Sequence, residues 1–240
     1  MHPLRSFRNL TKFECTLWLV SLAAVVLSSL YSGLEGSALT MIASCIGVTA
    51  LIFVAKGDVL GQLLTVGFSL FYAVISYTFQ YYGEMITYLC MSAPIAALSV
   101  ISWLRNPFES GKQEVRVNHI KRRECMGMWA AALLVTILFY GILAAFRNAN
   151  LIPSTLSVTT SFLASYLTFR RSSYYALAYA ANDLVLIVLW ILASIADRQY
   201  LSMVVCFAVF FINDLYGFVN WSKMKKRQAR GEQGRRTKGF

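Results

Sequence analysis

Long apolar stretches, each long enough to cross a bilayer, alternate with short polar turns along the whole chain. After a basic lead at residues 1–13 comes an apolar run from Glu14 to Tyr31. Further runs lie at about Ser37–Val54, Leu60–Phe79, Glu84–Leu104, Met126–Phe146, Ser154–Phe169, Ser173–Ser194 and Val204–Trp221. About 20 apolar residues rising 1.5 Å each match a hydrocarbon core about 30 Å thick, so this pattern predicts eight transmembrane helices. The runs are continuous and do not alternate, which excludes a transmembrane β-barrel. The lead and first run imitate a signal peptide. The run is long and lacks a small-residue cleavage pattern, so a retained first helix is expected. Pro94, well inside the fourth run, should kink or loosen that helix. The tail from Lys223 is rich in Gly, Arg and Lys and reads as disordered.

Composition supports an all-α polytopic membrane protein. Of 240 residues, 58% are hydrophobic and only 14% charged, against about a quarter charged in soluble domains. The five cysteines are scattered without a CxxC pair and read as small buried hydrophobes. Both histidines lie in polar segments, so no metal site is expected. There is no nucleophile–base pair and no glycine-rich phosphate loop, which argues against an enzyme and against any cofactor. A net charge of +11 could suggest nucleic acid. Its placement argues otherwise: with the N-terminus inside, only Arg147 and Arg198 of the 22 basic residues fall outside. That asymmetry puts both termini in the cytoplasm and makes anionic lipid the partner of the basic tail, not nucleic acid.

Spans two to four and six to eight share a layout. Tyr82 and Tyr200, Met85 and Met203, and Trp103 and Trp221 are each 118 residues apart. One helix, the fifth, separates the triplets, which makes them parallel repeats. The chain therefore divides into a basic N-terminus with the first helix (1–36) and a first three-helix bundle (37–104). A cytoplasmic loop with linker helix (105–152), a second bundle (153–222) and a cytoplasmic tail (223–240) follow. Transporters built from such halves hold substrate at the repeat interface, near mid-membrane.

The candidate chemistry lies at that depth. Asn182-Asp183 and Asn213-Asp214 sit inside the last two spans, where a carboxylate costs roughly 2.5–3.5 kcal/mol on insertion scales. On the third span Gln62, Thr65, Ser69, Tyr72 and Ser76 form one polar stripe. Tyr175, Tyr179 and Asn182 share a face of the seventh, with Asp183 and Trp190 on an adjoining one. Asn213, Tyr216 and Asn220 share a face of the eighth. The candidate substrate-binding set is Gln62, Ser69, Tyr72, Tyr179, Asn182, Asp183, Trp190, Asn213, Asp214 and Tyr216. The competing reading is hydrogen bonding between helices, which also suits Thr65 and Ser76. No Lys or Arg lies inside a span, so the interior suits a neutral or cationic small molecule, a flat ring bearing hydroxyls, better than an anion.

The stretches YYGEMITYLCMSAPIAALSVISW (81–103), NDLVLIVLW (182–190) and QYLSMVVCFAVFFINDLYGFVNWSKMKKRQ (199–228) resemble the PnuC family of vitamin-precursor transporters, over about residues 37–228. Asn182 matches the family's in-membrane asparagine, and Gly217-Phe218 with Trp221 its Gly-aromatic-x-x-Trp ending. Tyr175 and Ala178 stand where several members carry tryptophans. The resemblance implies two parallel three-helix bundles joined by a linker helix, related to the SWEET sugar transporters, assembled as homotrimers in the bacterial cytoplasmic membrane. It implies uptake of nicotinamide riboside by facilitated diffusion, with intracellular phosphorylation trapping the substrate. Relatives carry thiamine, riboflavin or deoxynucleosides, and a non-transporting sensor or scaffold is the alternative outside the class.

Overall fold

The computed structural model describes residues 3–31, 37–78, 81–109, 114–148 and 150–238. The expected turn at 32–36 and the end of the third span at Phe79 lie outside them. The described residues form α1 (Pro3–Arg8), α2 (Lys12–Tyr31), α3 (Ser37–Ala55), α4 (Val59–Thr78) and α5 (Tyr82–Thr87). Next come α6 (Ala93–Leu104), α7 (Arg122–Ala145), α8 (Leu151–Phe169), α9 (Tyr175–Ala196) and α10 (Leu201–Lys238). A π-turn, Tyr88–Ser92, joins α5 to α6. It sits just before Pro94, which has no N–H for the carbonyl four residues back, so the loosening expected of that proline takes this form.

Among the described residues, seven helices are long and apolar enough to cross a membrane, with α5, the π-turn and α6 forming one span over Tyr82–Leu104. The expected sixth span, α8, is not one of the seven. Eight of its 19 residues are Ser or Thr. Several of these hydroxyls bond carbonyls of their own helix, such as Thr155 to Leu151 and Thr168 to Ala164 (both 2.8 Å). Such bonding lets a hydroxyl-rich helix sit among apolar neighbours at little cost.

Packing follows the chain in two triplets. Helix α3 lies on α4, which lies on α5 and α6; α8 lies on α9, which lies on α10. The triplets meet along an α3–α10 seam and an α6–α8 seam, with α2 laid over α3 and α10, and α7 laid over α8.

At one end of the molecule each triplet closes the other. The first helix of each triplet ends in the same six-residue turn: Gly57 N–H bonds Val54 O and Asp58 N–H bonds Phe53 O, while Arg171 N–H bonds Thr168 O and Ser172 N–H bonds Leu167 O (all 2.9 Å). This is the Schellman ending, with Gly57 (φ 68°) and Arg171 (φ 55°) left-handed. It leaves carbonyls that need donors. Trp221 Nε1 donates to Val54 O (2.9 Å) and Asn220 Nδ2 to Ala55 O (2.8 Å). Reciprocally, Trp103 Nε1 donates to Thr168 O (3.1 Å) and Ser102 Oγ to Phe169 O (3.2 Å). The two indoles, both buried, meet with ring centroids 5.5 Å apart.

The N-terminal helix is fixed by Glu14. Thr11 and Glu14 form a capping box, Thr11 N–H to Glu14 Oε2 (2.6 Å) and Glu14 N–H to Thr11 Oγ1 (3.3 Å). The same carboxylate takes Lys56 Nζ (2.7 Å) and Tyr216 OH (2.8 Å), tying α2 to the end of α3 and to α10.

The tail corrects the expectation of disorder, because α10 runs unbroken to Lys238. Residues 114–117 brace it: Gln228 Nε2 donates to Glu114 Oε1 (2.8 Å) and Val115 O (3.0 Å), and Gln228 Oε1 accepts from Val117 N–H (2.8 Å). Arg227 pairs with Glu114 and Arg116 with Glu232. Composition alone hides this, since the partners come from a loop about 110 residues earlier in the chain.

The reciprocal closure gives the first prediction. Trp221→Phe and Trp103→Phe each keep an aromatic ring but remove a buried N–H···O bond between the triplets, worth about 0.5–1.5 kcal/mol, while the Val54 and Thr168 carbonyls keep the donors of their own turns. Both single variants should lower the melting temperature of the purified protein, and by similar amounts. A drop confined to one of them would show that the closure is not reciprocal.

Candidate substrate-binding site

Between the two triplets lies a cavity with about 60 Å³ of free space. That is room for about four waters and not for a nucleoside, so admitting one requires the helices to part. Each wall comes from a stripe on one helix. Helix α4 supplies Gln62, Thr65, Phe68 and Ser69; α9 supplies Tyr175, Tyr179, Asn182 and Asp183; α10 supplies Phe207, Phe210 and Asp214. Helix α3 contributes a small and aliphatic wall that includes Gly47, the π-turn adds Tyr88 and Ser92, and α8 adds Ser161. A side chain at Gly47 would place its Cβ 2.3 Å from Phe210 Cζ, so the glycine is what lets that ring close over the cavity.

Asn182 is held from behind. Its Oδ1 accepts from Thr160 Oγ1 (2.8 Å) and Ser161 Oγ (3.0 Å), both on α8. With the carbonyl side engaged, the amide's donor side is what remains for a ligand. Asp183 and Asp214 face each other with their carboxyls within hydrogen-bonding reach. Asp183 Oδ2, Gln62 Oε1 and Ser69 Oγ are buried acceptors with no partner among the described residues. Among the described residues, no Lys, Arg or His lines the cavity.

The ten candidate residues fall into three places. Gln62, Ser69, Tyr179, Asn182, Asp183 and Asp214 line the cavity. Tyr72 and Trp190 stand behind its wall as a bonded pair, Trp190 Nε1 to Tyr72 OH at 3.0 Å, fully buried and packed on Tyr88 and Phe207. Asn213 and Tyr216 face α2 instead: Asn213 Nδ2 donates to Ser21 Oγ (3.0 Å) and Tyr216 to Glu14. Around α10, Asn213 lies about 100° and Tyr216 about 160° from Asp214, and the helix pattern could not tell which neighbour each face meets.

Sequence reasoning passed over Thr160, Ser161 and Tyr88. A signal was present on α8, where Ser154, Ser157, Ser161, Ser165 and Thr168 recur at helical spacing and are all buried. Thr65, assigned to helix packing, both lines the cavity and bonds Gly61 O (2.9 Å).

The arrangement offers an edge-to-face aromatic lining, an oriented amide and a carboxyl pair. Comparison with known proteins identifies the family. The nicotinamide riboside transporter PnuC of Neisseria mucosa is 25% identical over 228 residues, covering 93% of this chain and 86% of that protein. Its counterpart in Haemophilus influenzae is 22% identical, covering 87% and 90%. The crystal structure of the vitamin B3 transporter PnuC superposes with a TM-score of 0.80 at 24% identity, over 92% of this chain and 94% of that one, so the two share a fold. The sequence profile of the nicotinamide mononucleotide transporter family matches residues 37–223. That is most of the chain, which therefore belongs to this family of membrane transporters and is not an enzyme.

Proposed function

We propose that this protein carries nicotinamide riboside across the bacterial cytoplasmic membrane by facilitated diffusion, an intracellular kinase trapping it as the phosphate. The observation behind this reading is a mid-membrane cavity with two acids, an oriented amide and aromatic faces, and no cationic side chain. The riboside is a flat pyridinium cation with a carboxamide and sugar hydroxyls. Asp183 Oδ2 supplies charge, Tyr179 and Tyr88 supply π faces, each worth roughly 0.5–2 kcal/mol to a cation, and Asn182 donates to a carboxamide or hydroxyl oxygen. Gln62 and Ser69 are the remaining acceptors for hydroxyls. Tyr72 and Trp190 shape the wall, and Asn213 and Tyr216 tie α10 to the N-terminal helix.

In this reading α8 is an eighth span, and the two triplets are parallel bundles joined by α7 in the SWEET-like manner. Residues 1–36 and 223–240 flank them, both termini lie in the cytoplasm, and the protein works as a homotrimer. Reporter fusions at residues 1–13 and 223–240 should both give cytoplasmic signals; signals from opposite sides would break the eight-span topology.

Proteoliposomes holding the purified protein should take up nicotinamide riboside saturably, and empty liposomes should not. By calorimetry the riboside should bind at least tenfold more tightly than its mononucleotide, about 1.4 kcal/mol or more, because no cation awaits a phosphate. Equal affinities would remove the charge argument.

The acids can be tested separately. Asp183→Asn deletes the unpartnered carboxylate oxygen, whereas Asp214→Asn still offers Asp183 a hydrogen bond. Asp183→Asn should therefore weaken binding of the cationic riboside relative to benzamide riboside, its uncharged analogue, by roughly tenfold, and Asp214→Asn by less. An unchanged ratio with a lowered melting temperature would assign both acids to packing.

A further inference from the structure

The polar atoms left without partners do not stop at the cavity. Helix α4 carries Gln62, Ser69 and Ser76 at seven-residue intervals, and all three have a buried oxygen with no partner among the described residues. Gln62 and Ser69 belong to the cavity; Ser76 lies about 10 Å further along the helix, away from the Trp103–Trp221 closure. There α4 meets α5, whose Glu84 and Thr87, three residues apart on one face, carry two more such atoms, Glu84 Oε2 and Thr87 Oγ1. Ser76, Glu84 and Thr87 are each 0–1% exposed.

Glu84 is the outlier. Its Oε1 accepts a short bond from Ser157 Oγ of α8 (2.5 Å), and its other oxygen faces no donor. A buried carboxyl that served the fold alone would be expected to engage both oxygens, as Glu14 does with Thr11, Lys56 and Tyr216. Glu84 lies one helical turn before Tyr88, so the two occupy the same face, and Tyr88 lines the cavity. The Tyr88 ring packs on Tyr72 with centroids 4.2 Å apart. Tyr88 therefore stands between Glu84 and the cavity along this face. It is also the first residue of the π-turn Tyr88–Ser92, where the regular helix ladder is interrupted and a local rearrangement costs least.

We propose that Glu84 is a second acidic station on the translocation path, where an aromatic cation such as an N-alkylpyridinium pauses between the outer face and the central cavity, with Tyr88 and Tyr72 as the partition it must pass. The inference rests on the transport reading above and adds to it a route, along the α4–α5 seam, and a residue that acts on passage and not on central binding. A cation leaving Asp183 for the outer side then meets one carboxylate after another, with π faces between them. Ser76 and Thr87 supply hydroxyls along the same line.

The test separates passage from binding. Glu84→Gln keeps the shape and the Ser157 contact but removes the charge. In proteoliposomes it should lower the initial uptake rate of nicotinamide riboside at subsaturating concentration about tenfold and that of benzamide riboside less than twofold. The dissociation constant of the cationic riboside, measured by calorimetry on the same protein, should move less than twofold. Glu84→Asp, which restores the charge, should recover at least a third of the wild-type rate. Equal losses for both ribosides, with a lowered melting temperature, would make Glu84 a packing residue and overturn the proposal; so would a wild-type rate in Glu84→Gln. Failure of the wild-type protein to transport either riboside would instead overturn the transport reading itself.

Discussion

The structure depends on how helix ends are finished inside a low-dielectric solvent. A carbonyl that a helix leaves unpaired has no water to turn to in a membrane, and each such group costs several kcal/mol. Here Asn220 and Ser102, each from the opposite triplet, satisfy the last carbonyls of α3 and α8, those of Ala55 and Phe169. The neighbouring indoles of Trp221 and Trp103 add a second bond one residue back, at Val54 and Thr168. The contacts that finish each half's backbone thus also hold the halves together. They fix the floor of the cavity as well, because Tyr175, which lines it, packs edge-on against Trp221 with ring centroids 4.8 Å apart. A second pair of positions 118 residues apart, Tyr72 and Trp190, meets directly on the far side of the cavity. The cavity therefore lies between two contacts in which matching positions of the two triplets touch.

Polar groups elsewhere follow the same economy, with one local departure. The hydroxyls of α8 bond its own carbonyls or neighbours such as Asn182, Glu84 and Thr136, and Glu14 collects donors from three residues, Thr11, Lys56 and Tyr216. Among the described residues, six of the eight exceptions lie on α4, α5 and α9; the other two are Ser6 on α1 and Asn213 on the α2-facing side of α10. Unmet hydrogen-bonding capacity concentrated on facing helices, in a chain whose remaining polar atoms are so thoroughly engaged, is how a transport route differs from a core.

Hydropathy alone made the membrane-spanning helices legible, because a run of about 20 apolar residues has few alternatives. It served α8 less well, where Ser and Thr lower the apolarity and only the spacing of the buried hydroxyls marks the helix as packed inside the bundle. The in-membrane acids were equally legible, since their cost is independent of the fold. Which face of α10 looks inward was not: Asp214 and Asn213 are adjacent in sequence, and only the position of α2 decides that one meets the cavity and the other Ser21. Glu84 was missed for a related reason. A carboxylate at the first turn of a span resembles an interfacial residue until Ser157 of another helix is seen to bury it.

The unbroken course of α10 has a mechanical consequence. Its 38 residues make a rod about 57 Å long, with Asp214 in the cavity wall and Gln228 pinned by residues 114–117. A helix bends little between such points, so a tilt at Asp214 arrives at Gln228 as displacement of the 114–117 segment. The cavity wall and that distant segment are thereby joined as the two arms of one lever.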